Sequence, residues 1–137
     1  VLNNTLIDTF YQSQQVKLWQ GLQLLAVDGS ITTLPKNKIL LEHFGKVRSH
    51  SVQPAIRISQ LYDVKNRLTI DLRVEPHSTG ERNMALKHLE HTQKGNVTVY
   101  EHGYSAVWFF KYHLTKGIEF CTCATLDSSN IIKALLA

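Results

Sequence analysis

The chain has 137 residues, 43% hydrophobic and 19% charged, with a formal net charge of +4 and a pI near 9.1. That balance fits one ordinary soluble globular domain large enough to bury a core. No apolar run approaches the ~18 residues of a membrane span, and no repeat, low-complexity tract or linker interrupts the chain. The mild basicity is compatible with nucleic-acid contact. The first residues, Val1 to Thr5, have no basic start and no long apolar run, so no signal peptide is expected. The missing initiator Met gives the expectation that the chain begins within a longer protein.

Apolar residues at Leu6, Ile7, Phe10 and Tyr11, then Val16, Leu18 and Trp19, predict a helix from Asn4 to Trp19, ending at Gly21. The stretch Leu22-Gln23-Leu24-Leu25-Ala26-Val27 is almost wholly apolar. It predicts a short strand buried on both faces, tipped by Asp28, with Gly29 allowing a sharp bend. A carboxylate at the tip of a buried strand is costly unless paired, and a metal ion is one such partner. Ser30 to Pro35 predicts a second short extended piece, closed by Pro35. Lys36 to Gln53 is irregular and predicts a loop with one helical turn. Its Lys36, Lys38, Lys46 and Arg48 either face a phosphate backbone or are simply solvated.

Ala55 to Asp63 reads as a strand and Val64-Lys65-Asn66 as a turn. Arg67 to Glu75 then alternates strictly, with Leu68, Ile70, Leu72 and Val74 on a buried face and Thr69, Asp71, Arg73 and Glu75 on a wet one. The two strands form an antiparallel hairpin that Pro76 stops. Ser78 with Glu81 fits a capping box, opening a helix through His91 that buries Met84, Ala85, Leu86 and Leu89. Asn96 to Glu101 is a strand ending in a second carboxylate, and His102-Gly103-Tyr104-Ser105 the turn after it. Ala106 to Lys116 is an aromatic-rich helix whose Trp108, Phe109 and Phe110 are expected in the core, with Gly117 at its C′ position. Ile118 to Ala124 is a last strand. Its Cys121 and Cys123 would lie ~6.6 Å apart on one face, the long end of disulfide geometry. They are expected as reduced, core-packed thiols of a cytosolic protein. Ser128 to Asn130 opens a short helix through Ile131, Ile132, Leu135 and Leu136. The histidines show no metal-ligand spacing; His88 and His91 share a helix face but nothing else in the sequence joins them.

The expected fold is therefore α/β, a mixed five-stranded sheet flanked by helices. The first three strands make an antiparallel meander, and the fourth arrives by a helical crossover, parallel to its neighbour. If that neighbour is the central strand, Asp28 and Glu101 lie side by side. Paired carboxylates at strand ends suit Mg²⁺, which is commonly held by one or two carboxylates with waters and substrate phosphates. The alternative is that Asp28 caps a loop and Glu101 is solvated.

The stretch Trp19 to Ser30, followed by Leu34-Pro35 and Phe44-Gly45, resembles the first catalytic block of bacterial insertion-sequence transposases. So do Leu61-Tyr62-Asp63-Val64, Ser78 to Arg82 and Tyr100 to Ser105, in the same order. These are DDE enzymes with an RNase H-like core, similar to the Tn-five transposase, and the resemblance runs from about Trp19 to Cys123. It implies that Asp28 matches the first metal-binding acid and Glu101 the second, where the family usually has Asp. His102 stands at the position of the usual Arg, a cation that contacts DNA phosphate, and Gly103-Tyr104 matches the family's Gly-Tyr. The third acid belongs to a later Tyr-Arg-Glu-Lys block absent from residues 1–137, which are thus expected to be one domain holding a partial catalytic core.

The resemblance further implies Mg²⁺ or Mn²⁺ as cofactor, transposon ends and target DNA as partners, and phosphodiester cleavage with strand transfer as the parent's activity. It also implies no membrane, a cytoplasmic bacterial location at the nucleoid when DNA-bound, and a homodimeric parent. Two other readings stay open: a catalytically dead DNA-binding or partner-binding domain that keeps the fold, and a nuclease acting with only these acids.

Overall fold

The computed structural model of the chain describes residues 2–46 and 53–123. Five strands, β1 (Gln23–Thr33), β2 (Ala55–Asp63), β3 (Leu68–Pro76), β4 (Asn96–Tyr100) and β5 (Glu119–Thr122), form one sheet in the order β3-β2-β1-β4-β5. β1 pairs antiparallel with β2, and β2 with β3; β4 lies parallel to β1, and β5 parallel to β4. This is the expected RNase H-like α/β sheet, with β1 at its centre. A short turn joins β2 to β3, whereas a longer connection holding a helix joins β1 to β2, and the parallel strands need helical crossovers. Among the described residues four α-helices accompany the sheet: α1 (Leu2–Ser13), α2 (Lys38–Phe44), α3 (Glu81–His88) and α4 (Val107–Lys116). None is long and apolar enough to cross a membrane.

The core gathers Leu25 and Val27 of β1, Leu61 of β2 and Ile70 of β3. Ile7 of α1, Ala85 of α3, Phe109 of α4, Tyr100 and Tyr104 complete it. Burying each large apolar side chain stabilises the fold by roughly 1.5–3 kcal/mol. Gly117 takes the left-handed conformation at the end of α4, φ 64°, as its C′ placement predicts.

Several elements differ from the sequence expectation. α1 stops at Ser13; Leu18 and Trp19 are exposed, and Gln20 and Gly21, both at positive φ, make a turn instead. β1 does not end at Asp28. It runs on to Thr33 because β2 pairs with it throughout, Gly29 opposite Ser59 and Thr33 opposite Ala55, so Gly29 is extended rather than a sharp bend. Lys36 to Phe44 holds a two-turn helix, capped by the Asn37 side chain on the Ile39 and Leu40 N–H groups. The Ser78 capping box does not form; Gly80 is the N-cap of α3, and no side chain caps it. α3 yields to a 3-10 turn at Leu89–His91. The helix expected after Ser128 lies outside the described residues.

The most consequential difference is in β3. Leu72 and Val74 are exposed, while Asp71, Arg73 and Glu75 are half-buried under α3. Leu61 pairs with Asp71 but Tyr62 pairs with Thr69, leaving Ile70 as an extra residue. One extra residue moves every later side chain to the opposite face. The strict alternation of Arg67 to Glu75 could not reveal that shift.

Candidate functional site

Asp28 and Glu101 both lie where β1 outruns β4. The parallel pairing stops at Ala26–Val99, and the antiparallel pairing continues to Thr33–Ala55. Asp28 lies two residues beyond Ala26 and Glu101 two beyond Val99. Carried past its last pair, that register sets the two positions level, Asp28 within β1 and Glu101 just past the end of β4. Both are exposed. Asp28 Oδ1 accepts the Gly29 N–H at 2.8 Å. The Glu101 carbonyl accepts Tyr104 N–H at 3.1 Å and the Thr122 hydroxyl at 3.1 Å, which fixes the turn His102–Tyr104 against β5.

Tyr104, near enough to feel the charge of both acids, is 1% exposed. A Cβ on Gly29 would lie 3.5 Å from the Tyr104 hydroxyl and 3.7 Å from Glu81 Cγ, so both side chains lean over β1 at its one residue without a side chain. Burial pushes the Tyr104 phenol up to about 12, and the charges of Glu81, Asp28 and Glu101 add to it, against Arg57. The hydroxyl stays protonated, buried and without a hydrogen-bond partner among the described residues. Glu81 itself is ion-paired with Arg57, whose side chain is 14% exposed.

No group of three or more His, Cys, Asp or Glu able to hold a metal ion occurs among the described residues. Asp28 and Glu101 alone offer hard oxygen donors, exposed to water, a set that suits Mg²⁺ when waters and phosphates complete the shell. His102 is exposed in the turn after Glu101. Lys36 and Lys38 are exposed around the start of α2, which packs against β2 and β3; Lys38 lies 3.9 Å from Glu42. Lys46 is exposed at an isolated bridge to Pro54, and Arg48 lies outside the described residues.

Sequence reasoning missed two arrangements. Arg57 and Glu81 pair across β2 and α3, although Glu81 looked like half of a capping box. Ser59, His88 and Asp71 form a buried relay, with Ser59 Oγ 2.9 Å from His88 Nε2 and His88 Nδ1 2.8 Å from Asp71 Oδ2. Asp71 also lies 3.6 Å from His91 Nε2, so it joins the two histidines that the sequence left unconnected. Burial alone would raise the Asp71 carboxyl, but the His88 hydrogen bond and the charges around it hold it below its usual range. Burial lowers His88. The relay has triad connectivity, yet Ser59 and His88 are 0% exposed, so no substrate reaches the hydroxyl. It pins α3 to the sheet.

Two expectations about the core fail. Trp108 is 48% exposed, because Phe109 and His113 are the residues α4 turns inward. Cys121 in β5 and Cys123 just past its end are free and exposed.

No protein-family model matches the sequence, and no curated protein matches it. The fold is similar to that of a piggyBac transposase, solved by cryo-EM as a synaptic complex with hairpin DNA. The TM-score is 0.52 at 10% identity, over 84% of this chain and 26% of that one. The chain thus has a transposase-like fold and spans about a quarter of the length of that neighbour.

Proposed function

We propose that residues 1–137 form the first part of a DNA-transposing catalytic core of the DDE kind, in a bacterial insertion-sequence protein. Asp28 and Glu101 are its first two acids. The observation that carries this reading is the parallel β1–β4 register, in which each acid lies two residues past the last paired position, Ala26 and Val99; the fold likeness to a transposase supports it. The third acid would come from a segment after Ala137, and the parent would act as a cytoplasmic homodimer on transposon ends and target DNA.

Asp28 and Glu101 would hold Mg²⁺ or Mn²⁺. When bound, the cation supplies Lewis-acid activation of water or of a 3′-hydroxyl at a phosphodiester. The chain's own residues orient and exclude. The Gly29 N–H holds the Asp28 carboxylate, and the Glu101 carbonyl anchors the turn beside the site. Tyr104 closes the floor with a neutral hydroxyl. Lys36, Lys38, Lys46, Arg48 and His102 are the residues proposed to meet DNA phosphates.

A second reading, a catalytically silent DNA-binding domain, is favoured by one observation: no third carboxylate joins the pair into a metal-holding group among the described residues. A Mn²⁺ titration followed by paramagnetic broadening of backbone amide signals tests the first. Broadening centred on Asp28 and Glu101, lost in Asp28→Asn, is expected. Broadening elsewhere, or unchanged in Asp28→Asn, would overturn the metal centre.

A further inference from the structure

Towards the other end of β1 from Asp28 lies a cavity of about 480 Å³, between α1, the starts of β1 and β4 and the turn Leu89–His91. Gln23 in its wall is the first residue of β1, roughly 16 Å along the strand from Asp28. The volume falls within the ~300–1,000 Å³ typical of ligand pockets. We propose that this cavity binds a small organic ammonium ion, with the charged amine on its polar wall and an apolar body on its floor.

The polar wall has largely spent its donors. Asp63, 0% exposed, receives the Tyr11 hydroxyl at 2.7 Å and Gln23 Nε2 at 2.7 Å. Gln23 Nε2 gives its other hydrogen to the Tyr11 oxygen, at 2.6 Å, and Gln23 Oε1 accepts from Asn96 Nδ2 at 2.8 Å. Asn96 Oδ1 in turn accepts the Gln93 N–H at 2.7 Å. A hydroxyl has one hydrogen and two acceptor sites; an amide side chain has two hydrogens and two acceptor sites. Tyr11 and Gln23 therefore have no side-chain hydrogen left for a ligand, and Asn96 has one. Each of the three keeps an unused lone pair. Burial, with the hydrogen bond and charge of Asp63, pushes the Tyr11 phenol well above its usual range, so its proton stays between the two. An occupant of this wall must donate, and an ammonium brings three N–H groups and no acceptor.

Charge selects the ligand further. The side-chain hydrogen bonds to Asp63 come from neutral groups, Tyr11, Gln23 and Asn66, and no Lys or Arg pairs with it among the described residues. A buried carboxylate without a cationic partner favours a positive charge nearby. Asp8 lines the same cavity, exposed, with no hydrogen bond or ion pair among the described residues. A bound ammonium would meet Asp8 directly and Asp63 through Tyr11 and Gln23. His91 also lines the cavity, and its Nε2 lies 3.6 Å from Asp71 Oδ2, so a charge on that ring is offset there. Opposite the polar groups, Ile7, Leu25 and Ile70 supply an apolar floor.

The test uses the full ¹⁵N-labelled chain at neutral pH and fixed salt. The probe is 2-phenylethylammonium, and 2-phenylethanol is its neutral counterpart of near-equal shape. Backbone amide signals of Asn4 to Tyr11, Gln23 and Asn96 should shift and saturate. The ammonium should bind about 10-fold tighter than the alcohol, the difference made by one charge-assisted hydrogen bond. Asp8→Asn, at an exposed position, should remove most of that preference and leave the alcohol unchanged. Tyr11→Phe takes away an acceptor and frees a Gln23 hydrogen, so it should weaken the ammonium more than the alcohol. Equal binding of the two probes overturns the proposal. So does a preference for the ammonium that both variants keep, or ammonium shifts that saturate around Asp28 and Glu101 instead. No saturable shift with the ammonium overturns it as well.

Discussion

In the parallel β1–β4 register Asp28 and Glu101 are level, each two residues past the last paired position, Ala26 and Val99. Because β1 continues to Thr33, Asp28 projects from the middle of a strand held by β2, while Glu101 begins the turn that leaves β4. The first carboxylate thus stands on a strand paired along its length and the second on the turn that leaves β4. A Glu side chain adds one methylene, which carries its oxygens further from the strand. Misplacement of a reacting group on the order of 1 Å costs ~10²-fold in rate, and Mg²⁺ demands near-octahedral geometry. The 137-residue chain alone is expected neither to nick nor to join a transposon-end duplex with Mg²⁺ or Mn²⁺. In a longer chain carrying a third acid, Glu101→Asp should raise strand cleavage and Asp28→Ala should abolish it. Full activity in Asp28→Ala, or no gain in Glu101→Asp, refutes the assignment.

Much of the sheet was legible because its signals are local. The apolar run at Leu22 to Val27, the hairpin turn at Val64 to Asn66 and the crossover helix before Asn96 each report on a few neighbouring residues, and together they fix the strand order. The features that escaped depend on distant partners. Nothing near Asp28 says that β2 will pair with β1 to Thr33. Nothing in Arg67 to Glu75 announces the extra residue at Ile70, which inverts the face expected to be wet and sets Asp71 beneath His88. Glu81 satisfied a capping motif by spacing, and a guanidinium from a strand 24 residues earlier took it instead. Trp108 and Phe109 are adjacent and equally apolar. Only the packing of α4 on Tyr100 decides that Phe109 goes inward. Arrangements assembled across elements are hidden for the same reason, as the Ser59–His88–Asp71 relay between β2, α3 and β3 illustrates.

DNA binding by this chain should be weak, sequence-independent and steeply salt-dependent. Each neutralised phosphate releases counterions and contributes a slope of about −0.9 to log K against log salt. Replacing Lys36, Lys38 and Lys46 together by Gln should flatten that slope by about 2–3. Fluorescence anisotropy between low and physiological salt measures it. A slope unchanged by the triple replacement would show that DNA lies on another face.

The Arg57–Glu81 pair should hold α3 to β2. Arg57 is 14% exposed and Glu81 36% by side chain, so the guanidinium is the more desolvated partner. Removing one member of a fully buried pair destabilises by ~3–5 kcal/mol. Water around Glu81 screens this one, and Glu81→Gln is expected to cost about 1–2 kcal/mol. Arg57→Met with Glu81→Leu should recover most of the loss, since apolar replacement of both partners removes the stranded charge. Denaturant melts of the three chains decide it; a double replacement as unstable as Glu81→Gln would show that the pair is not the cause.

Acid should unfold the chain through His113. The imidazole is 0% exposed and surrounded by the rings of Tyr100, Phe109 and Phe120, with centroids at 5.3, 5.0 and 4.7 Å. Burial lowers its pKa from 6.5 to about 4, partly offset by the Ile118 backbone. Between those values the unfolded chain carries a proton that the folded chain refuses, so stability falls as pH drops through that window and is unaffected by this group above it. Each unit of difference corresponds to ~1.4 kcal/mol, so the full window is worth on the order of 3 kcal/mol. His88, also lowered by burial, acts in the same direction. Asp71, held below its usual range, adds a loss only where its unfolded carboxyl protonates, at the acid edge of the same window. His113→Phe keeps the aromatic packing without the titrating group. Its stability should therefore decline by roughly 2–3 kcal/mol less than that of the unaltered chain between pH 7 and pH 4, while the two differ little in slope above pH 7. Thermal melts across that range measure the difference. Parallel declines in the two chains would mean that another group carries the acid sensitivity.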